Sequence, residues 1–170
     1  MTKPAEKIAK SLSVATDREG KYLTFTLASE EYGIGIIKIK EIIGMMPITT
    51  VPQAPGFVKG VINLRGRVIP VIDLRLRFGL NRIDYTERTC IVVVEIPGES
   101  GTFTIGIVVD SVSEVLNIKA DDIEEAPAFG TSRNTDYILG IARFEGGIRI
   151  LLDIDKVLSL DEAATVDKAA

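Results

Sequence analysis

The sequence predicts an all-β protein built from two related small barrels, and three observations lead to that class. The chain of 170 residues holds 23 isoleucines and 15 valines, and these β-branched side chains favour pleated, half-buried surfaces over helices. Its apolar runs are short and punctuated by 15 glycines and 7 prolines, the pattern of strands joined by turns. Its second half repeats the order of the first. Residues 137–160, YILGIARFEGGIRILLDIDKVLSL, align without a gap on residues 57–80, FVKGVINLRGRVIPVIDLRLRFGL, at a constant offset of 80, so that Gly60 meets Gly140, Gly66 meets Gly146 and Asp73 meets Asp153. Looser matches set YGIGI at 32–36 against FTIGI at 103–107, an offset of 71, and KEII at 40–43 against SEVL at 113–116, an offset of 73. A duplicated β unit of about 70–80 residues accounts for these coincidences. Each half then has roughly five short strands, enough for a small barrel. A barrel of that size is marginal alone, so the two are expected to bury apolar surface against each other.

The elements follow in order. Residues 21–27 alternate Tyr22, Thr24 and Thr26 with Leu23, Phe25 and Leu27, the period of two that marks a strand. Residues 28–31 form a polar turn, and residues 32–39 resume the apolar pattern as the return strand of a hairpin. Pro47, Pro52, Pro55 and Gly56 mark a loop that no central strand would tolerate. Residues 60–64 and 67–73 form a second hairpin about Arg65-Gly66, where Gly66 supplies the positive φ of a two-residue turn. In the second half, residues 89–95 and 102–109 are strands around a Pro-Gly turn at 97–101, and the hairpin of 137–153 closes the repeat. Helix is confined to short segments. Residues 73–78 are one, with Asp73 as N-cap and Gly79 as C-cap; residues 153–158 are another, capped by the matched Asp153. A further turn is expected near Ala120, with Asp121 and Asp122 at its positive end. Residues 1–18 and 161–170 are small, polar and charged, and are expected to be mobile tails flanking a single domain over 19–160. Within it the subdomains are expected at about 19–80 and 81–160, with exchange of strands between them.

Composition removes several kinds of chemistry. Lys and Arg total 20 against 24 Asp and Glu, a formal charge of −4, so no basic excess attracts a nucleic-acid backbone. The chain has no histidine. Ser-His-Asp and Cys-His sites, His-ligated zinc and a phosphoacceptor histidine are therefore excluded. Cys90, the single cysteine, lies in the apolar run CIVVV and is expected to be a small buried core residue. No run is apolar for the 18 or so residues that span a bilayer, and residues 1–20 lack a signal peptide's apolar stretch. The expectation is a cytoplasmic protein without direct membrane insertion, metal or cofactor.

Candidate chemistry is sparse. Asp73, Asp153, Asp110, Glu41 and Glu114 lie beside apolar strands. A carboxylate hydrolase would need two of them in one cleft, whereas caps and strand-end carboxylates account for them more simply. Neither a phosphate-cradling glycine motif nor a calcium-loop spacing is present. What remains points to recognition of other proteins. Arg65 and Glu145 occupy equivalent hairpin tips with opposite charge, and an arginine on a rigid tip presents a planar donor fork to a partner or to a neighbouring carboxylate. Met45-Met46 suits either an adaptable binding surface or core packing.

Three strings carry a resemblance: EYGIGIIKIKEIIG at 31–44, PGFVKGVINLRGRVIPVIDLRLRFG at 55–79 and IGIVVDSVSEVL at 105–116. Together they resemble the CheW family of chemotaxis adaptors, and the similarity covers residues 21–160. With no receiver, phosphotransfer or ATP-binding segment alongside, the chain resembles a stand-alone member. The resemblance implies two intertwined five-stranded SH3-like β-barrel subdomains and a non-enzymatic function. That function is coupling the cytoplasmic tip of methyl-accepting chemoreceptors to the regulatory domain of the histidine kinase CheA, at receptor arrays beneath the inner membrane. It also implies that Arg65 of the NLRG turn and Glu41 pair with each other and matter for coupling. Ile39, expected on the same strand face as Glu41, is implied in partner binding. Gly60, Asn63 and Gly66 belong to the same signature region, and Val108 and Val109 of GIVVD are expected to line the groove that takes a receptor helix. Three other readings remain. One is a β-barrel interaction module of another two-component or CheA-like pathway, one a single-strand nucleic-acid binder, and one a carboxylate enzyme centred on Asp73 or Asp153.

Overall fold

The computed structural model describes residues 18–98, 101–127 and 137–158. Both expected tails therefore lie outside the described residues, apart from Arg18. The strands are β1 (Gly20–Leu27), β2 (Glu30–Gly35), β3 (Ile39–Gly44), β4 (Val58–Leu64), β5 (Arg67–Asp73), β6 (Cys90–Gly98), β7 (Gly101–Val109), β8 (Ser111–Ile118), β9 (Ile123–Glu124), β10 (Ile138–Phe144) and β11 (Gly147–Leu152). They form two sheets. One has the order β8-β1-β2-β11-β10-β9 and the other β3-β6-β7-β5-β4. The first sheet therefore takes β1 and β2 from the N-terminal half, and the second takes β6 and β7 from the C-terminal half. The first sheet has six strands rather than five because the two-residue β9 adds to the edge of β10.

The duplication is visible in the pairing. β4 and β5 shift register between Val58 and Gly60, and β10 and β11 shift between Ile138 and Gly140, the same place 80 residues on. Each hairpin also pairs in parallel with a strand of the other half-repeat, Val71 opposite Gly106 and Leu151 opposite Gly33. Since Leu151 is Val71 plus 80, Gly33 corresponds to Gly106, an offset of 106 − 33 = 73. This corrects the offset of 71 expected for YGIGI. A slip of two residues keeps every side chain on its own face, so alternation alone does not expose it.

The expected strand over 32–39 is likewise two elements. β2 stops at Gly35, a 3-10 turn spans Ile36–Lys38, and β3 then joins the other sheet. The β1–β2 turn is only Ala28-Ser29, both at positive φ (51° and 69°). Asp110 Oδ2 accepts from the Ala28 amide at 2.9 Å and takes Arg75 Nη1 at 3.2 Å, which ties that turn to the segment after β5.

Three cores result. The largest lies where the sheets meet and joins Leu23, Phe25, Leu27 and Ile34 to Ile72, Val92, Val94, Ile105, Ile107 and Val109. A stack of aromatics, Phe25–Tyr32–Phe78–Tyr137, runs through it with ring centroids 5.9, 6.0 and 5.4 Å apart. The second core fills one barrel with Ile62, Ile69, Val71, Ile91, Val93 and Val108, and Met45, Met46 and Ile48 pack against it. The third fills the other barrel with Tyr22, Ile118, Ile123, Ala142 and Leu151. Ile62 is matched by Ala142 and Ile91 by Tyr22, so one side chain shrinks where another grows and part of the lost volume is made up. Cys90 is half-buried at the start of β6 rather than fully buried, with its thiol directed at the Arg88 carbonyl.

The helical segments are Leu74–Arg77 and Ile154–Val157. Asp73 caps the first, its Oδ1 accepting from the Arg75 amide at 3.0 Å. Gly79 (φ 75°) ends it, with bonds from the Gly79 amide to the Leu76 carbonyl and from the Leu80 amide to the Arg75 carbonyl, the 5→2 and 6→1 pair of a Schellman motif. Asp153 makes no side-chain cap, contrary to expectation; only its carbonyl serves, accepting from the Lys156 and Val157 amides. Near Ala120 the expected turn is a 3-10 turn over Ala120–Asp122.

The Tyr85 phenol is pushed up to about 12 by its own burial first, then by the Asp73 charge and the 3.5 Å contact in which its hydroxyl donates to Asp73 Oδ2. A phenol raised in the folded state makes a contribution that is intact below its unfolded value of 10.0 and is lost as pH rises through the folded value. Stability is therefore expected to fall between pH 10 and about 12, more steeply in the wild type than in Tyr85→Phe. Denaturant unfolding of both proteins across that range measures the difference.

Candidate functional site: a clasped hairpin at the mouth of one barrel

In the sheet β3-β6-β7-β5-β4 the strands β3 and β4 are the two edges. Glu41 lies on β3 and Arg65 at the tip between β4 and β5. Arg65 Nη1 donates to Glu41 Oε1 at 2.7 Å and Nη2 to Oε2 at 2.6 Å, the two-pronged geometry that matches a planar guanidinium to a carboxylate. The pair thus joins one edge of the sheet to the other across the barrel mouth. Beneath it is a cleft of about 350 Å³ lined by Leu64, Ile69, Val93 and Thr104, with Lys40 and Arg67 at its rim.

Local structure sets both partners. β3 carries a bulge, with Ile39 opposite Val94 and Glu41 opposite Val93. Two residues of β3 therefore face one step of β6, and the strand rotates there. Ile39 packs against the core between the sheets, whereas Glu41 and Ile43 turn toward the barrel interior side of β6. The expectation that Ile39 and Glu41 share one face is corrected by this bulge. Lys40 bonds outward to Glu95 at 3.1 Å. On the other edge, Arg65 and Gly66 both have positive φ, 52° and 85°, the pattern of a type I′ turn. The Gly66 amide donates to Asn63 Oδ1 at 2.8 Å.

The electrostatics follow from the contact. The bonds from Arg65 hold the Glu41 carboxyl below the ordinary carboxylate value, aided by the charges of Arg65 and Lys40, and the same bonds raise the Arg65 guanidinium. The Arg65 side chain is 70% exposed and that of Glu41 28%. An exposed pair adds little to stability, so its weight is in what it presents at the surface.

Gly60 has a different use. Thr49 and Val61 exchange two backbone bonds of 2.8 Å, which lays the chain before β4 directly over Gly60. Gly60 has φ 142°, and a Cβ there would sit 2.0 Å from the Thr49 carbonyl oxygen. Val108 and Val109 are 3% and 1% exposed, one inside the barrel and the other in the core between the sheets. Neither lines a surface groove, which corrects that expectation: from Thr104 to Val109, β7 is buried on both faces.

Sequence reasoning missed the exposed apolar residues around the clasp. Ile42 is 42% and Val68 68% exposed, and their repeat equivalents Val115 and Ile148 are 50% and 53% exposed. The signal was available, since 42 + 73 = 115 and 68 + 80 = 148: apolar residues recur at matched positions that point away from the cores. A separate cleft of about 410 Å³ lies beside the 3-10 turn, lined by Ile36, Ile37, Leu139 and Leu152 and flanked by the Lys38–Asp155 ion pair of 2.8 Å.

Fold and site together define a duplicated β-barrel module that presents an arginine-clasped hairpin at its surface. The family model for the CheW-like domain matches residues 21–162. A Klebsiella aerogenes protein named Chemotaxis protein CheW is 43% identical over 88% of this chain and 88% of its own length. A Rhizobium meliloti protein of the same name is 31% identical, covering 82% of this chain and 88% of that one. The crystal structure of a CheW scaffolding protein from Thermoanaerobacter tengcongensis superposes with a TM-score of 0.74 at 35% identity, covering 85% of this chain and 95% of that one. The chain belongs to the CheW family, whose members are scaffolding and coupling proteins of chemotaxis. The two β subdomains accord with the SH3-like barrels expected of that family.

Proposed function

We propose that this protein is a non-enzymatic adaptor that couples the regulatory domain of CheA to the cytoplasmic tip of methyl-accepting chemoreceptors, at arrays beneath the inner membrane. The observation that carries the reading is the Glu41–Arg65 clasp, an ordered but exposed two-pronged ion pair set beside the exposed Ile42 and Val68. Exposed apolar side chains with a fixed polar group at their margin match the apolar centre and polar rim of a protein-binding surface. The matched Val115 and Ile148 give the second barrel an apolar surface of its own, so one molecule can hold two partners, and contacts of this heterologous kind close into rings where the rotation allows. The apolar cleft beside Ile36 and Ile37 suits the apolar stripe of a receptor helical hairpin. Coupling requires that the receptor's two signalling states contact the adaptor differently, since equal binding transmits nothing.

Co-sedimentation with receptor-fragment vesicles, and separately with the CheA regulatory domain, tests the reading. The wild type is expected to bind both. Val68→Asp and Ile148→Asp are each expected to weaken at least one of the two by about tenfold or more, with unchanged thermal unfolding. Wild-type protein that binds neither partner would overturn the proposal.

A further inference from the structure

The two hairpins that the duplication relates have the same length and strand register, with Leu64 opposite Arg67 and Phe144 opposite Gly147. Their turns nevertheless differ. In the first, both loop residues have positive φ, Arg65 at 52° and Gly66 at 85°. In the second, Gly146 is at 98°, but Glu145 is not among the non-glycine residues of positive φ, which among the described residues are Ala28, Ser29, Gln53 and Arg65. One positive φ at the second loop residue is the type II pattern, and two are type I′. The left-handed region is unfavourable for a residue with a Cβ, so something must hold Arg65 there.

The neighbouring residue differs in the same way. Asn63 Oδ1 accepts the Gly66 amide at 2.8 Å and so fixes the central peptide of the turn. At the equivalent position, 63 + 80 = 143, stands Arg143, which has no acceptor and instead donates to the Asp121 carbonyl at 3.1 Å and pairs with Glu124 at 3.0 Å. The hairpin with the acceptor has the left-handed tip residue, and the hairpin without it does not.

We infer that Asn63 is the positioning residue of the clasp: by holding the Gly66 amide it sets Arg65 in the left-handed conformation from which its guanidinium meets both oxygens of Glu41. Asn63 is exposed on β4, so its replacement leaves the barrel packed. Without the acceptor, the turn relaxes toward the arrangement at Glu145-Gly146, and the fork on Glu41 opens. The functional consequence rests on the adaptor reading above, but the structural claim is tested without any partner.

The test is the titration of the Glu41 carboxyl by carbon-detected NMR in the wild type, Asn63→Ala, Asn63→Asp and Arg65→Ala. The clasp holds that carboxyl below its ordinary 4.5. Asn63→Ala is expected to raise it toward 4.5, as Arg65→Ala does, while Asn63→Asp, which keeps an acceptor oxygen, retains the lowered value. Thermal unfolding checks that all variants are folded. A Glu41 titration in Asn63→Ala that matches the wild type, with the protein folded, would overturn the assignment. If the titration moves as expected and receptor control of the kinase does not, the positioning role stands and the adaptor reading of the clasp fails.

Discussion

Gly60→Ala is expected to destabilise the protein by about 3–5 kcal/mol, the sum of backbone strain and of two broken backbone hydrogen bonds. The added Cβ would lie 2.0 Å from the Thr49 carbonyl oxygen, 2.7 Å from its carbon and 3.0 Å from the Thr50 Cα. All three are backbone atoms, so no rotamer change relieves the overlap. The φ of 142° disfavours any side chain as well. Relief means lifting the Thr49 segment, which breaks both Thr49–Val61 bonds and loosens the packing of Met45, Met46 and Ile48 on the barrel core. The matched Gly140 is the internal control. Its Cβ would meet Ile123 Cγ2 at 2.7 Å and the Glu124 carbonyl oxygen at 3.1 Å, without a positive φ. The nearer atom is a side-chain methyl, so Gly140→Ala should cost less. Urea unfolding of the three proteins measures the order, and a Gly60→Ala protein as stable as the wild type would contradict the account of the bulge.

Glu41→Lys and Arg65→Glu are each expected to abolish receptor control of the kinase while leaving the fold intact. Each substitution sets like charges at the barrel mouth where the two-pronged pair of 2.6 and 2.7 Å now stands. Because Arg65 is largely exposed, the loss to folding is small, and urea midpoints should stay near that of the wild type. Binding should fall on the order of tenfold or more, since a rigid surface pair has been replaced by two mobile, mutually repelled side chains. Combining the two reversals rebuilds a pair of opposite polarity. Partial recovery would mean that closure of the mouth is what partners need, and no recovery would mean that a partner touches the Arg65 guanidinium itself.

Much of this architecture was legible in the residues. The gapless match of 57–80 to 137–160 located both hairpins, and Gly66 and Gly146 within it marked both turns, whereas the bulges at Gly60 and Gly140 appear only in the strand pairing. Asp73 and Gly79 marked the two ends of one helical segment. Where the reading failed, a local rule was overridden by pairing. The 3-10 turn at Ile36–Lys38 is apolar and looks like continued strand, because the chain stays extended on either side while it changes sheet. The two-residue slip of the early strands leaves side-chain parity unchanged, so alternation could not reveal it. The bulge at Lys40 adds one residue and reverses parity between Ile39 and Glu41. Val108 and Val109 lie in a strand that faces a different core on each side, and such a strand has no alternation from which an exposed face can be read. The Glu41–Arg65 pair came from family resemblance, since residues 24 positions apart on opposite edges of a sheet leave no spacing signal. Asn63 was singled out only as part of the NLRG segment, and its contact with Gly66 supplies the physical role.

On the proposed function, receptor state passes to the kinase through the clasped barrel. Autophosphorylation of CheA in reconstituted arrays, with receptor fragments and with or without attractant, measures it most directly. The account predicts that wild-type protein makes CheA activity both higher and attractant-sensitive, and that Arg65→Glu, folded and present at the same concentration, removes both effects. Arrays in which Arg65→Glu supports attractant-sensitive CheA activity equal to that of the wild type would contradict it.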